Sequence, residues 1–179
     1  MLGEIVNGES NLNDAGKMVD AQWMALKNRF ANIELHEYIV MPNHFHGILQ
    51  IVGATLVVAP TMTTTANAVA QNKMVAKLDV GPIVENVQPQ GIAPTPKTKT
   101  VGDMMDAFKS ITTVEYIRGV KNLEWPSFNG KLWQRNYWEH IIRDEKSYHR
   151  IAEYIINNPA KWVVDKLNPA NPEIKKKHP

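Results

Sequence analysis

Two histidines separated by one residue, His44 and His46, are the side chains whose type and spacing most suggest chemistry. They lie in the stretch Tyr38 to Ile51, Y-I-V-M-P-N-H-F-H-G-I-L-Q-I. Read as a strand, the stretch alternates faces, so Tyr38, Val40, His44, His46, Ile48 and Gln50 point one way. Ile39, Met41, Phe45, Leu49 and Ile51 fill the other, apolar side. The two histidine Cα atoms are then roughly 6.5–7 Å apart, close enough for both imidazoles to converge on one metal ion. Packing or ordinary hydrogen bonding explains an H-x-H equally well. Near the other end of the chain, Ser147, Ile151, Tyr154 and Asn158 share one helix face, so Tyr154 and Asn158 can face the histidines together. A tyrosine and an asparagine at that spacing occur by chance in many helices.

The context of these residues carries more. M-P-N-H-F-H-G is followed, about a hundred residues on, by L-W-Q-R-N-Y-W-E-H-I-I-R-D-E and Y-I-I-N-N-P-A-K-W. The combination resembles the single-tyrosine HUH transposases, in particular the REP-associated tyrosine transposases of bacteria. The resemblance runs from Gly3 to about Trp162, apart from a middle insertion. It implies an α+β, ferredoxin-like HUH fold: a mainly antiparallel sheet with helices on one face. It implies metal-dependent cleavage and rejoining of single-stranded DNA at hairpin-forming repeats, through a 5′-phosphotyrosine. Tyr154 would be the nucleophile, and Asn158 would complete a divalent metal site with His44 and His46. Two imidazoles and an amide oxygen are softer than an all-oxygen magnesium site, so Mn²⁺ should serve at least as well as Mg²⁺.

Lys109, Trp133, Arg135, Tyr137 and Arg143 are the expected contacts to single-stranded or hairpin DNA. The site can be built within one chain or between the copies of a homodimer. Tyr137 is the runner-up nucleophile, with a structural or base-stacking role as its other reading. Tyr148, six residues before Tyr154, faces about 120° away on the helix, and Tyr116 ends an earlier one. His140 competes as a third metal ligand with a packing role, and His36 has no companion. The family pattern also places a strand before the first hairpin, in the centre of the sheet. Its absence here predicts exposed sheet edges, and it motivates the rival reading of a hairpin-binding protein that does not cut. A zinc hydrolase built on H-x-H lacks the further acidic or histidine ligands such a site needs.

Composition sets the frame. The 179 residues suit one domain, and the net charge of +2 does not by itself imply nucleic acid. The charge is uneven: residues 1–52 carry three basic and six acidic groups, residues 101–179 thirteen basic and ten acidic. A basic, aromatic C-terminal half suits phosphate contact and base stacking. The absence of cysteine removes thiol nucleophiles and Cys-based zinc sites. No signal peptide and no apolar run near 18 residues is evident, which points to a soluble, cytoplasmic protein with no membrane partner.

The positioning elements follow from pattern. Asn7-Gly8 between Gly3–Val6 and Glu9–Leu12 predicts a tight hairpin. Asn13 or Asp14 caps a helix carrying Ala15, Met18, Val19, Trp23 and Leu26, and a strand follows over Ile33–Val40, with a bend at Pro42-Asn43. Residues 53–100, rich in Thr, Ala, Val, Pro and Gln and devoid of aromatics, read as a low-complexity, disordered insertion that the fold can lose, with a DNA-contacting loop or a stray β-pairing of the Val-rich pieces as the other readings. Residues 1–52 and 101–162 then make one domain. Asp103 is the expected cap of a helix with a Met104, Met105, Phe108, Ile111, Ile117 stripe. Trp133–Ile142 leads into a strand, Asp144 caps the last helix, Pro159 ends it, and 163–179 form a basic tail.

Overall fold

Asn7 and Gly8 both adopt positive φ, 53° and 80°, which a two-residue hairpin turn demands and which these residue types tolerate. They join β1 (Gly3–Val6) to β2 (Glu9–Leu12) in a separate two-stranded sheet. The computed structural model describes residues 2–52, 72–78 (backbone only), 99–135 and 137–171. After the hairpin the Asn13 side chain accepts from Gly16 N–H and starts α1 (Asp14–Met24), and a short α2 (Leu26–Arg29) follows.

The main sheet has the order β3 (Ile33–Val40), β4 (Phe45–Ile51), β5 (Asn72–Leu78), β6 (Tyr137–Ile142), antiparallel throughout. Between β5 and β6 in sequence comes α3 (Val101–Asn122), and β6 is followed by α4 (Glu145–Ile156) and a 3₁₀ turn, Pro159–Val164. This is an α+β fold with an antiparallel sheet, as the sequence leads one to expect. No helix among the described residues is long and apolar enough to cross a membrane.

Four features differ from the sequence-based expectations. The stretch Tyr38 to Ile51 is a hairpin, not one strand: the chain reverses at Pro42-Asn43, closed by Met41 N–H donating to His44 O at 2.9 Å. Reversal changes which residues share a face. Tyr38 and Val40 side with Phe45 and Leu49, while Ile39 pairs across to His46 and packs with Ile48. His44 and His46 stay together because both lie on the same arm, two residues apart.

The second difference is that helices cover both faces of the sheet. Trp23 of α1, Phe45 of β4 and Phe108 of α3 form an aromatic triangle on one side, with ring centroids 4.7–5.5 Å apart. Gly47 lies against it so closely that a Cβ there would stand 2.7 Å from the Trp23 ring. Ile48, Ile142, Ala152 and Ile155 form a second cluster, which seats α4 on the opposite face. This is why β4 is buried from Phe45 to Gln50 on both sides.

Thirdly, the middle insertion is not wholly outside the sheet. Asn72–Leu78 forms β5, paired to β4 on one edge and β6 on the other. It is one of the two inner strands of the sheet. The predicted disorder of residues 53–71 and 79–98 falls outside the described residues.

Fourthly, the ordered chain continues past Trp162. Asn168 Nδ2 donates to Trp162 O and Asn171 Nδ2 to Asp165 O, winding residues 165–171 into compact turns. The Lys175–Lys177 tail lies outside the described residues. Smaller shifts concern α3, which Thr100 caps in a reciprocal pair with Asp103, and whose buried stripe includes Thr112 and Tyr116, with Ile117 exposed.

Candidate active site

The hairpin tip carries His44 and His46 side by side, with ring centroids 4.8 Å apart and planes at 83°. His46 is buried, and the Nε2 atoms of both rings lie out of solvent. Three pieces of chain brace this tip. Leu2 N–H donates to Pro42 O at 2.8 Å and Ser10 Oγ to Val40 O at 2.7 Å, so the N-terminal hairpin holds it from one side. From the other, Asn43 Nδ2 donates to Leu167 O at 2.7 Å.

That last bond fixes more than the turn. With its NH₂ committed to Leu167, the Asn43 amide presents Oδ1 to His44 Nδ1, 2.8 Å away. An oxygen there can only accept, so Nδ1 carries the proton, and neutral His44 keeps its lone pair on Nε2. Metal-ligating histidines are oriented by such a bond from the other ring nitrogen.

α4 brings the remaining groups. Asp144 caps it, its carboxylate accepting from Ser147 N–H and Oγ–H, and these bonds hold its carboxyl below the usual range. Tyr148 Oη–H donates to Glu37 Oε2 at 2.7 Å and ties α4 to β3. The helix then delivers Tyr154 to the histidines: its ring centroid is 5.6 Å from that of His46, at 81°. Its side chain is half exposed, open to an incoming substrate.

Pro159 has no N–H, and α4 stops at Ile156, but Asn158 keeps helical geometry (φ −59°, ψ −43°) and leads into the 3₁₀ turn. Tyr154, Asn158 and Trp162 therefore follow one another four residues apart. Tyr154 lies against His46, and Trp162 against His44 at 5.8 Å. Asn158 comes between them in this series, 2% exposed, and neither its amide oxygen nor its nitrogen has a hydrogen-bond partner among the described residues. Burying an amide without partners costs several kcal/mol at most and roughly 1–3 in proteins, so such a group calls for a ligand.

The donor set suits a divalent ion. Among the described residues no three His, Cys, Asp or Glu gather at one place, so an ion held there by the described residues alone would need a neutral donor beside the two imidazoles. Asn158 Oδ1 is such a donor.

The competing tyrosines have other duties. Tyr116 is buried and donates to Pro126 O. Tyr148 is pushed up to about 12 by burial and by Glu37, and Tyr137 to about 12 by burial and Glu139. His36 bonds Gln50 at 2.9 Å, and His140 stacks on Trp138 in β6.

The expected DNA contacts separate into two groups. Trp133 is buried, its indole N–H donating to Thr112 Oγ1 at 2.7 Å, so its ring belongs to the core and offers no face to a base. Tyr137 is half-buried against that core. Arg135 and Arg143 are exposed. Lys109 donates to Arg135 O at 3.0 Å and holds the loop; burial lowers its pKa, opposed by Asp106. Lys109, Lys131 and Arg135 line a groove beside α3 that shares Leu132, Trp133 and Gln134 with a cleft at Asn43 and His44. Leu167 escaped the sequence reading, and Asn43 and Trp162, although inside the M-P-N-H and N-P-A-K-W runs, were given no part in the site.

No known family's sequence pattern and no solved structure matches the chain. It is 32% identical over 170 residues to an uncharacterized protein of Haemophilus influenzae, covering 93% of this chain and 77% of that one. Over 30 residues, 17% of each chain, it is 50% identical to a Haemophilus influenzae protein named "Putative REP-associated tyrosine transposase". Similarity of that extent to the first protein means that the chain belongs to the same family as the uncharacterized Haemophilus influenzae protein.

Proposed function

We propose that the chain is a REP-associated tyrosine transposase, a metal-dependent enzyme that cleaves and rejoins single-stranded DNA at hairpin-forming repeats. The observation that carries the reading is the meeting of Tyr154 with His46, one helical turn before a buried Asn158 amide that lacks partners. The short similarity to the transposase of Haemophilus influenzae supports the same class.

His44 Nε2, His46 and Asn158 Oδ1 would hold the ion, and Asn43 keeps His44 in the tautomer for it. When bound, Mg²⁺ or Mn²⁺ supplies Lewis-acid neutralisation of the phosphate oxygens. The half-exposed Tyr154 hydroxyl loses its proton to solvent and attacks phosphorus. The Tyr154 Oη–P bond forms, the P–O3′ bond breaks, and the departing 3′ oxygen takes up a proton. The phosphotyrosine conserves the bond energy, so a later 3′-OH can rejoin strands without a high-energy cofactor.

The test is incubation of labelled hairpin-bearing single strands with Mn²⁺. Wild type should form a covalent adduct that Tyr154→Phe loses completely and that Tyr137→Phe and Tyr148→Phe retain. DNA binding without an adduct in any of them would identify a hairpin-binding protein and overturn the enzymatic reading.

A further inference from the structure

The sheet face that carries His46 continues onto the edge strand β6. Register runs from His46 to Lys77 to Trp138 across β4, β5 and β6. Trp138 therefore stands on the same face as His46, two strand spacings or about 10 Å away. The next residue of β6 on that face, His140, is in register with Val75 and Ile48. α4 covers this face of β6 only at its far end, where Ile142 is buried with Ala152 and Ile155. Trp138 is 52% exposed.

The rings of Trp138 and His140 lie parallel, 6° between planes, with centroids 5.7 Å apart. Trp23 and Trp133 serve the core, Trp125 packs on Tyr116 and Trp162 on His44. Trp138 belongs to neither hydrophobic cluster. Its position on the His46 face follows from strand alternation, which turns the neighbouring Tyr137 toward the core on the other side.

We propose that Trp138, steadied by His140, is a base-stacking platform for a nucleotide flanking the phosphate held at the histidines. The inference rests on the strand-transfer reading of His44, His46 and Tyr154. A flat aromatic surface suits a base because every base has a π-face, and such contacts tolerate sequence.

Binding of single-stranded oligothymidylate by the full chain tests this, read by tryptophan fluorescence and by affinity across salt concentrations. Wild-type fluorescence should be quenched on binding. Trp138→Phe should lose most of the quenching and keep nearly full affinity. Trp138→Ala should bind about 5- to 150-fold more weakly, with an unchanged salt slope, since one stacked base contributes that much and no phosphate contact is lost. Its melting temperature should match wild type. Wild-type affinity in Trp138→Ala, full quenching in Trp138→Phe, or no binding by wild type would each overturn the platform. A Tyr154 adduct assay on the same proteins separates the two readings: an absent adduct with an intact Trp138 effect removes the enzyme and leaves the platform.

Discussion

At the scale of single residues, Asn43 sets the chemistry of its neighbour by spending both ends of one amide. Its NH₂ goes to Leu167 O, which leaves its oxygen to accept a hydrogen bond from His44 Nδ1–H. Asn43→Ala removes the acceptor, frees His44 to rotate or change tautomer, and unties the C-terminal turns. Loss of a bond of this kind typically weakens metal affinity about 10- to 100-fold. Mn²⁺ titration by calorimetry should show such a loss, and a Kd within twofold of wild type would reject the role. The pairing of His44 with His46, and of Tyr154 with Asn158, was legible in the sequence, because strand and helix periods place residues two or four apart on one side; that the two pairs face each other was only what the resemblance implied. The parts played by Asn43 and Trp162 were not legible. They depend on contacts such as the one from Asn43 to Leu167, across 124 residues, and no local period encodes those.

At the scale of elements, β5 decides whether the site has a floor. Without it β4 and β6 would present unpaired edges, and the helix that carries Tyr154 would bridge two unconnected strands. Nothing in N-K-M-V-A-K-L, set in a Thr- and Pro-rich surround, announces a central strand. Its place is defined by the two strands it pairs with, one before it and one nearly sixty residues after. A deletion of the insertion, residues 53–100, that takes this segment with it would therefore remove a strand paired on both edges. A proline at Val75, in register with Ile48 on one side and His140 on the other, removes a ladder donor from the middle of the sheet. Val75→Pro should lower the melting temperature by about 10 °C, taking roughly 3 kcal/mol for the disrupted ladder and about 3 °C per kcal/mol for a chain of this size. An unchanged melting curve would show that β5 contributes nothing to the sheet's stability.

At the scale of the whole molecule, charge and shape lead to the histidines from one direction. The N-terminal 52 residues carry an excess of three acidic groups, and residues 101–179 an equal excess of basic ones. On the described surface, Lys109, Lys131 and Arg135 gather in the groove beside α3, and Leu132 to Gln134 continue it into the cleft at His44. A single strand bound for Tyr154 along this path would meet Lys131 and Arg135 as point charges. Lys109 plays a different part, since its ammonium is already bonded to Arg135 O and supports the loop. The three cations should therefore behave unlike one another when removed. Lys131→Ala and Arg135→Ala should each weaken binding to all single strands alike, and each should reduce the slope of log K against log salt by about 0.7, the value for one phosphate contact on a single strand. Lys109→Ala should lower the melting temperature as well as affinity, because it releases the loop that carries Arg135. Filter binding of an oligonucleotide across a salt series, with thermal melts alongside, gives all three results. Slopes unchanged in both Lys131→Ala and Arg135→Ala would mean that the strand approaches the histidines by another route.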